Sequence, residues 1–365
     1  MSTSLDIDRR LISDLIASRK PGFSLPRPFF IDPDIYRAEL HPIWQKSWLF
    51  AGHECELRAP GREIRLRLND QDVRLMKDGP HGLRGDVATR QDSFSLADPQ
   101  IRTVAGLLFV CLADTPVDFA AAEAAIASQL LPHGLIQAKV AFRKEYRVRA
   151  NWKVIFQNNR ECYHCEPNHS EYCLATYDAV RDRKGWSDPI QQRLKSCLAQ
   201  WSAKGIDVSQ VNVSSDMSTS WYRANRTPLR PGFVTESLDG QPVAPAMGVF
   251  PDPDVGTCRI TTFPNFWCHA SGDHAVSTQI VPAGPAESHV TVTWLVDSAA
   301  AEGENYHLDR LLPFWQRTSE QDWELCERNQ AGIQSTRHQP GPFSPLEANV
   351  EQFDEWYLEQ LRTES

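Results

Sequence analysis

A chain of 365 residues, 41% hydrophobic and 23% charged, has the make-up of a soluble globular protein and the length to bury two or three domains' worth of core. A formal charge of −9 and a pI near 5.7 argue against nucleic acid or an anionic membrane as partner. The longest apolar run, Val104 to Ala113 around one glycine, is too short to span a bilayer; the start MSTSLDIDRR holds no apolar signal core; and nine scattered cysteines fit a reducing compartment better than a disulfide framework. A cytoplasmic protein is the expectation.

In chain order, Leu5, Leu11, Ile12, Leu15 and Ile16 predict a short amphipathic helix, stopped by Lys20 to Gly22. The proline-rich GFSLPRPFF reads as an extended arm. Asp32 is the expected N-cap of a helix with Pro33 at its first position, running through Ile35, Leu40, Ile43 and Trp44. From Trp48 to Asp114 the chain reads as short strands, with Ile64, Leu66 and Leu68 alternating against Glu63, Arg65 and Arg67, and with residues 80–100 as a polar loop. His53 and His81 read as surface or packing histidines. Pro116 to Leu131 predicts a helix, and Val140, Phe142, Tyr146 and Val148 mark a strand. Residues 175–235 lack clean periodicity and suit an insertion covering a pocket. Cys258–His269, His274–Val281 and His289–Asp297 predict an antiparallel meander, and Glu304 to Ile333 one long helix. The order implies an α+β fold in which a curved sheet wraps a helix.

Asn151 to Leu174, NWKVIFQNNRECYHCEPNHSEYCL, carries the chemistry. Glu161 and His164 are three apart and share one face of a helix. His169 lies five further on, off that face, so convergence of the imidazoles needs the helix to end; Pro167 is where it is predicted to end. Two histidines with one distant carboxylate and open positions suit non-haem iron(II) and dioxygen, and Asp322 in TSEQDWELCERNQAG is the best third ligand. The same donor set also describes catalytic zinc. Cys162 and Cys165 form a CxxC, but no second CxxC completes a zinc ribbon and no βαβ pattern marks a redox motif, so two buried, inert thiols are expected.

The run NWK…NNRECYHCEPNH, followed by EQDxxLxExNQxG, resembles the catalytic domain of Rieske non-haem iron oxygenase α subunits, and the likeness extends from GFSLPRPFF to PGPFSPLE. The resemblance implies a helix-grip (START-like) catalytic domain with mononuclear iron on His164, His169 and Asp322, and a catalytic Glu161 bridging toward a neighbouring subunit. Asn158 and Asn159 are candidates to orient the imidazoles; Gln157 stands where the family often has an acid. The implied division is an N-terminal helical arm over 1–47, a reduced Rieske-like β unit over 48–115 and the catalytic domain over 116–365.

A Rieske cluster needs Cys-x-His and Cys-x-x-His pairs. Between Trp48 and Val140 this chain offers only His53, Cys55, His81, Cys111 and His133, and neither cysteine has a histidine two or three places later. No [2Fe–2S] cluster is therefore expected here. Electrons would come from a Rieske cluster on another polypeptide fed by a reductase, within a trimeric ring, homo- or heteromeric. GFSLPRPFF, FAGHECE, NNRECYHC and FPNFWCHASGDHAV look most like the branch acting on betaines and other quaternary ammonium compounds. Those enzymes hydroxylate an N-methyl carbon, and the product collapses to formaldehyde and the demethylated amine. Aromatic faces attract such cations, so Trp221, Tyr222, Phe263, Phe266 and Trp267 are candidates for a cage, each with a place in the core as its alternative. The competing function is a non-catalytic structural or regulatory partner of a complete α subunit.

Overall fold

The computed structural model describes residues 4–68, 70–79, 82–89, 95–96, 98–178, 188–209, 211 and 221–362. His81 and parts of the expected loop and insertion lie outside the described residues. The first helix, α1 (Ser4–Ser18), buries Ile12. The arm is not extended throughout: Pro28 opens a one-turn helix, α2 (Pro28–Ile31), because its fixed φ and missing N–H suit a first helical position. Asp32 then caps α3 (Pro33–Glu39) as expected, accepting from the amides of Asp34 and Ile35 at 2.8 and 3.3 Å.

Among the described residues seven strands follow: β1 (Leu49–His53), β2 (Glu63–Leu68), β3 (Gln71–Asp78), β4 (Gly82–Thr89), β5 (Ser95–Leu96), β6 (Gln100–Val104) and β7 (Leu107–Cys111). They form two antiparallel sheets, ordered β1-β7-β6 and β2-β3-β4-β5. The alternation in β2 is as expected, with Ile64, Leu66 and Leu68 buried. Strand β4 corrects the expected loop. It pairs along β3 from Gln71↔Thr89 to Asp78↔Gly82, with Val87 opposite Val73 in the core. Its pattern is hard to see because Gly85 fills an inward position, where a Cβ would come within 2.6 Å of Pro99 and 3.0 Å of Leu75.

After α4 (Ala120–Leu130) come β8 (Ala138–Val148), α5 (Trp152–Arg160), α6 (Cys165–Asn168), α7 (Ser170–Ala175) and α8 (Asp188–Ala203). The sheet then continues through β9 (Tyr222–Thr227), β10 (Thr257–Thr262), β11 (Phe266–Ala270), β12 (Ala275–Gly284) and β13 (Glu287–Asp297). The expected single strand Cys258–His269 is thus two, turning at Phe263–Asn265. The last helices are α9 (Leu308–Leu311), α10 (Pro313–Gln334) and α11 (Ala348–Arg362). Pro313 splits the expected long helix and starts α10. Six strands, ordered β8-β13-β12-β11-β10-β9, form one antiparallel sheet, with α5 and α10 packed together beside it. This is the α+β, helix-grip arrangement.

The N-terminal sheets share their core with this larger sheet. Asn265, buried in the β10–β11 turn, accepts from the Phe50 amide at 2.9 Å and donates to the Phe50 carbonyl at 3.0 Å, while Phe50 stacks on Phe266 at 4.0 Å. His53 is a packing residue, bonded to Ser277 Oγ at 2.8 Å and held neutral by burial, which lowers its pKa to about 4.

Asp354 on α11 is a carboxyl group poorly matched to this core. It is fully buried, accepts from Gln157 Nε2 at 2.6 Å, and its Oδ2 has no partner among the described residues. Desolvation raises its pKa to about 7 from 3.8, only partly opposed by Gln157 and Arg19. Between those two values the folded state holds a proton that the unfolded state has lost, so stability falls as pH rises through the window. Asp354→Asn keeps the acceptor and removes the charge. It is expected to be more stable than wild type at pH 8, by on the order of a few kcal/mol, with the gap closing toward pH 4 in urea-unfolding midpoints.

Candidate metal centre

The segment that carries the histidines is built as three short pieces. Asn151 caps α5 by accepting from the Lys153 amide at 2.9 Å, and the helix runs only to Arg160. Glu161 is extended, with φ −132° and ψ 163°, and its Oε2 accepts from the amides of Tyr163 and His164. That turn ends the helix before Glu161 rather than at Pro167, which corrects the expected shared helix face. Pro167 sits within the first turn of α6, where a missing N–H costs nothing. His164 precedes α6, and His169 lies between α6 and α7.

The two imidazoles nevertheless converge. His164 Nε2 is 3.1 Å and His169 Nε2 is 2.9 Å from the same oxygen, Asp322 Oδ1, presented by α10. Both rings are fixed from behind: His164 Nδ1 donates to Glu161 Oε1 at 2.5 Å, and His169 Nδ1 donates to Gln321 Oε1 at 2.8 Å. Both rings therefore turn Nε2 toward Asp322, the arrangement by which outer partners set a ligating tautomer. Two ligands about 2.1 Å from one ion and at right angles lie about 3 Å apart, so the separations at Asp322 Oδ1 fit a single divalent ion. Burial disfavours charge on these groups, yet the contacts prevail: hydrogen bonds to Asp322 and Glu161 raise His164 to about 9, His169 is raised by its bond to Asp322, and Asp322 is held below its usual range by the two imidazoles. Two His and one carboxylate suit iron(II).

Among the sequence candidates, Glu161, His164, His169 and Asp322 come together. Asn158 joins them, with Nδ2 3.3 Å from His164 Nε2; Asn159 lines the same cavity but bonds neither imidazole. Sequence reasoning missed Gln321, although it adjoins Asp322, and Asn168, whose Nδ2 donates to the His164 carbonyl at 2.7 Å. Cys162 and Cys165 are not two free thiols. The turn after Glu161 brings their Cα atoms to 4.9 Å, and they are disulfide-bonded.

A cavity extends from these ligands to the face of the large sheet. Register places Thr261 between Arg223 and Trp267, and Arg259 between Asn225 and His269, so these side chains share one face across β9, β10 and β11. Arg259 pairs with Asp178 and lies 3.9 Å from Glu236, which also meets His269 at 3.2 Å; Tyr172 donates to Asp178 at 2.5 Å. Opposite, α10 contributes Trp315 and Trp323. Of the five aromatic residues expected to form a cage, only Trp267 lines this cavity. Phe266 faces the other way against Phe50, and Phe263 packs on Phe156 and Trp356. Trp221 packs on Phe119 and Tyr222 on Trp221. Strand alternation explains the split of the Phe266–Trp267 pair, whose side chains leave opposite faces. Tyr172, Trp315 and Trp323 supply the aromatic wall instead.

Comparison with known proteins gives a consistent picture. The family described as the ring-hydroxylating alpha subunit (catalytic domain) matches residues 137–363. The glycine betaine monooxygenase oxygenase subunit of Pseudomonas aeruginosa is 30% identical over 407 aligned positions, covering 98% of this chain and 93% of that protein. The protein of the same name from Chromohalobacter salexigens is 32% identical, covering 97% and 89%. Among solved structures, a quaternary ammonium Rieske monooxygenase shares the fold with a TM-score of 0.65 at 15% identity, over 95% of this chain and 98% of that one. Naphthalene 1,2-dioxygenase from Rhodococcus sp. shares it with a TM-score of 0.59 at 13% identity, over 100% and 99%.

Proposed function

The chain belongs to the ring-hydroxylating oxygenase α-subunit family, and on that premise we propose that it is the oxygenase subunit of a betaine-type N-demethylase whose electrons come from a Rieske cluster on another polypeptide. As a member of that family it is an oxidoreductase that requires electrons from outside. One observation carries the catalytic reading: both imidazole Nε2 atoms meet Asp322 Oδ1, at 3.1 and 2.9 Å, at the end of a tryptophan-walled cavity. His164, His169 and Asp322 would hold iron(II), which when bound supplies the redox chemistry with dioxygen. Glu161 and Gln321 keep the imidazoles in register, and Glu161 is the group aimed at a donor subunit.

The substrate reading rests on the relatives' names and on the wall formed by Tyr172, Trp267, Trp315 and Trp323, whose faces suit a quaternary ammonium group. Hydroxylation of an N-methyl carbon of such a substrate would yield formaldehyde and the tertiary amine. No helix among the described residues is long and apolar enough to cross a membrane.

Three observations support an external cluster. His53 is buried in the core with Nε2 on Ser277, His133 is buried with its ring nitrogens on Ser271 O at 2.8 Å and Arg226 at 3.0 Å, and neither has a cysteine two or three places before it. Cys111 is buried in β7 with its thiol against backbone carbonyls. The alignment of 407 positions exceeds this chain's 365 residues by 42, so the relative carries at least that many positions without a counterpart here. Residues 48–115 are then a reduced Rieske-like unit between a helical arm (1–47) and the catalytic part (116–365). The assembly is a trimeric ring in which a cluster-bearing subunit adjoins Glu161.

The test is to load the chain anaerobically with iron. It is then supplied with a reductase, a cluster-bearing α subunit and oxygen, alongside glycine betaine, carnitine or choline. Formaldehyde release that exceeds the α subunit's own and disappears with His164→Ala is expected. Iron bound without formaldehyde from any of these would make the chain a non-catalytic partner.

A further inference from the structure

Cys162 and Cys165 bracket His164 and are bonded across it, while Cys55, Cys111, Cys173, Cys197, Cys258, Cys268 and Cys326 are free thiols. A disulfide that stabilises a fold does so by closing a loop of the unfolded chain, and the gain grows with loop length. With a sequence separation of 3, this one closes nearly the shortest loop possible, so stability is a poor reason for it. Its position offers a better one. Cys165 is buried, with Sγ 3.9 Å from His164 Nε2, and the ligand atoms of His164, Cys165 and His169 all lie within 4.8 Å of one another. Metal–nitrogen and metal–sulfur bonds of about 2.0 and 2.3 Å allow a nitrogen–sulfur separation up to roughly 4.3 Å. The sulfur of Cys165 is within that reach of His164 Nε2, and thiolates are strong donors to iron, cobalt and zinc.

We infer that Cys162 and Cys165 form a thiol switch on the metal loop: reduced, Cys165 is a further ligand to the ion held by His164, His169 and Asp322, and oxidised, the disulfide withholds it. The inference rests on the metal-centre reading and deepens it. Reduction requires a dithiol. Its thiolate attacks Cys162 Sγ and breaks the Cys162–Cys165 bond, releasing Cys165 as a thiolate, and its second thiol then displaces Cys162 and closes the reductant's own disulfide. Two electrons and two protons pass to the pair, and the Cys165 proton is given up again when sulfur binds the ion. A sulfur on the ion occupies a position otherwise open to water or dioxygen, so the switch would set how many open positions the site has.

Cobalt(II) is the probe, because a thiolate ligand adds a sulfur-to-metal charge-transfer band that nitrogen and oxygen ligands do not. The full chain is titrated with cobalt as the oxidised wild type, as wild type reduced with a dithiol that is then removed, and as the Cys162→Ser, Cys165→Ser and His164→Ala variants. The band is expected in reduced wild type and in Cys162→Ser, and not in oxidised wild type or Cys165→Ser. Reduced wild type should hold cobalt at least about tenfold more tightly than Cys165→Ser, the scale set by losing even an outer partner. Cobalt bound in every form but His164→Ala, with no band in reduced wild type or Cys162→Ser, would overturn the switch and leave the metal centre standing. Cobalt binding that His164→Ala does not weaken would overturn both. The free thiols elsewhere are common to all variants, so a band that survives Cys165→Ser also counts against the assignment.

Discussion

Asp322→Ala is expected to leave the purified chain without iron. A single oxygen, Oδ1, meets both imidazoles, at 3.1 and 2.9 Å, so one substitution removes the carboxylate on which His164 and His169 converge. Loss of an outer partner costs metal sites about 10- to 100-fold in affinity, and loss of the shared ligand should exceed that. Iron per chain after anaerobic loading and desalting checks it: about one in wild type and close to none in the variant, with N-demethylation lost in parallel. Asp322→Asn, which keeps the shape but not the charge, separates packing from ligation and is expected to fail similarly. Retention of iron by both variants would move the third ligand elsewhere.

The same substitution has a pH signature in the metal-free chain. The contacts with Asp322 and Glu161 raise His164 to about 9 in the folded state against burial, whereas 6.5 is its ordinary value. Stability from this rise is fully present below pH 6.5 and is lost as pH climbs through about 9. Asp322→Ala should therefore destabilise the metal-free chain more at pH 6 than at pH 9.5.

Glu39→Ala is expected to be among the most destabilising single changes outside the metal centre. Glu39 and Lys153 are both fully buried, and the carboxylate takes the Lys153 ammonium at 3.0 and 2.8 Å, the Trp152 indole N–H at 2.8 Å and the Tyr357 hydroxyl at 2.8 Å. The group thus ties α3, α5 and α11 together at one point. Burial by itself disfavours the ammonium, which is why the Lys153 pKa is lowered even with Glu39 beside it. Truncating Glu39 leaves that charge without a counter-ion, at a cost of about 3–5 kcal/mol, against total stabilities of about 5–15 kcal/mol. Urea unfolding would show it. The pair Glu39→Leu with Lys153→Met should recover part of the loss, because replacing a buried ion pair as a whole is often neutral, while the Trp152 N–H and Tyr357 O–H still lose their acceptor. Lys153 lies on the helix that leads into Glu161, so a single variant that still folds should also bind iron less tightly.

Much of the candidate site was legible locally. Glu161, His164 and His169 lie within nine residues, and Asp322 sits in a run that resembles the family's, so the candidate ligands could be named from residue identity and that resemblance, and the α+β class from periodicity. So did the N-cap at Asp32 and the β2 alternation. What the sequence left open were matters of direction. The imidazoles converge because Glu161 turns the chain at its own carboxylate and α10 brings Asp322 and Gln321 across from 152 or more residues away. The aromatic wall is Trp267, Trp315, Trp323 and Tyr172 rather than Phe263 or Phe266, because adjacent strand residues leave opposite faces and only packing decides which face meets the cavity. Gly85 hid β4 by carrying no side chain into the core, and the bond between Cys162 and Cys165 depends on a turn that no spacing rule contains. Residue type sets what a side chain can do. Which groups it does it with is decided by long-range packing, where the free energy of burial selects one face and one register from several that local preference leaves equal.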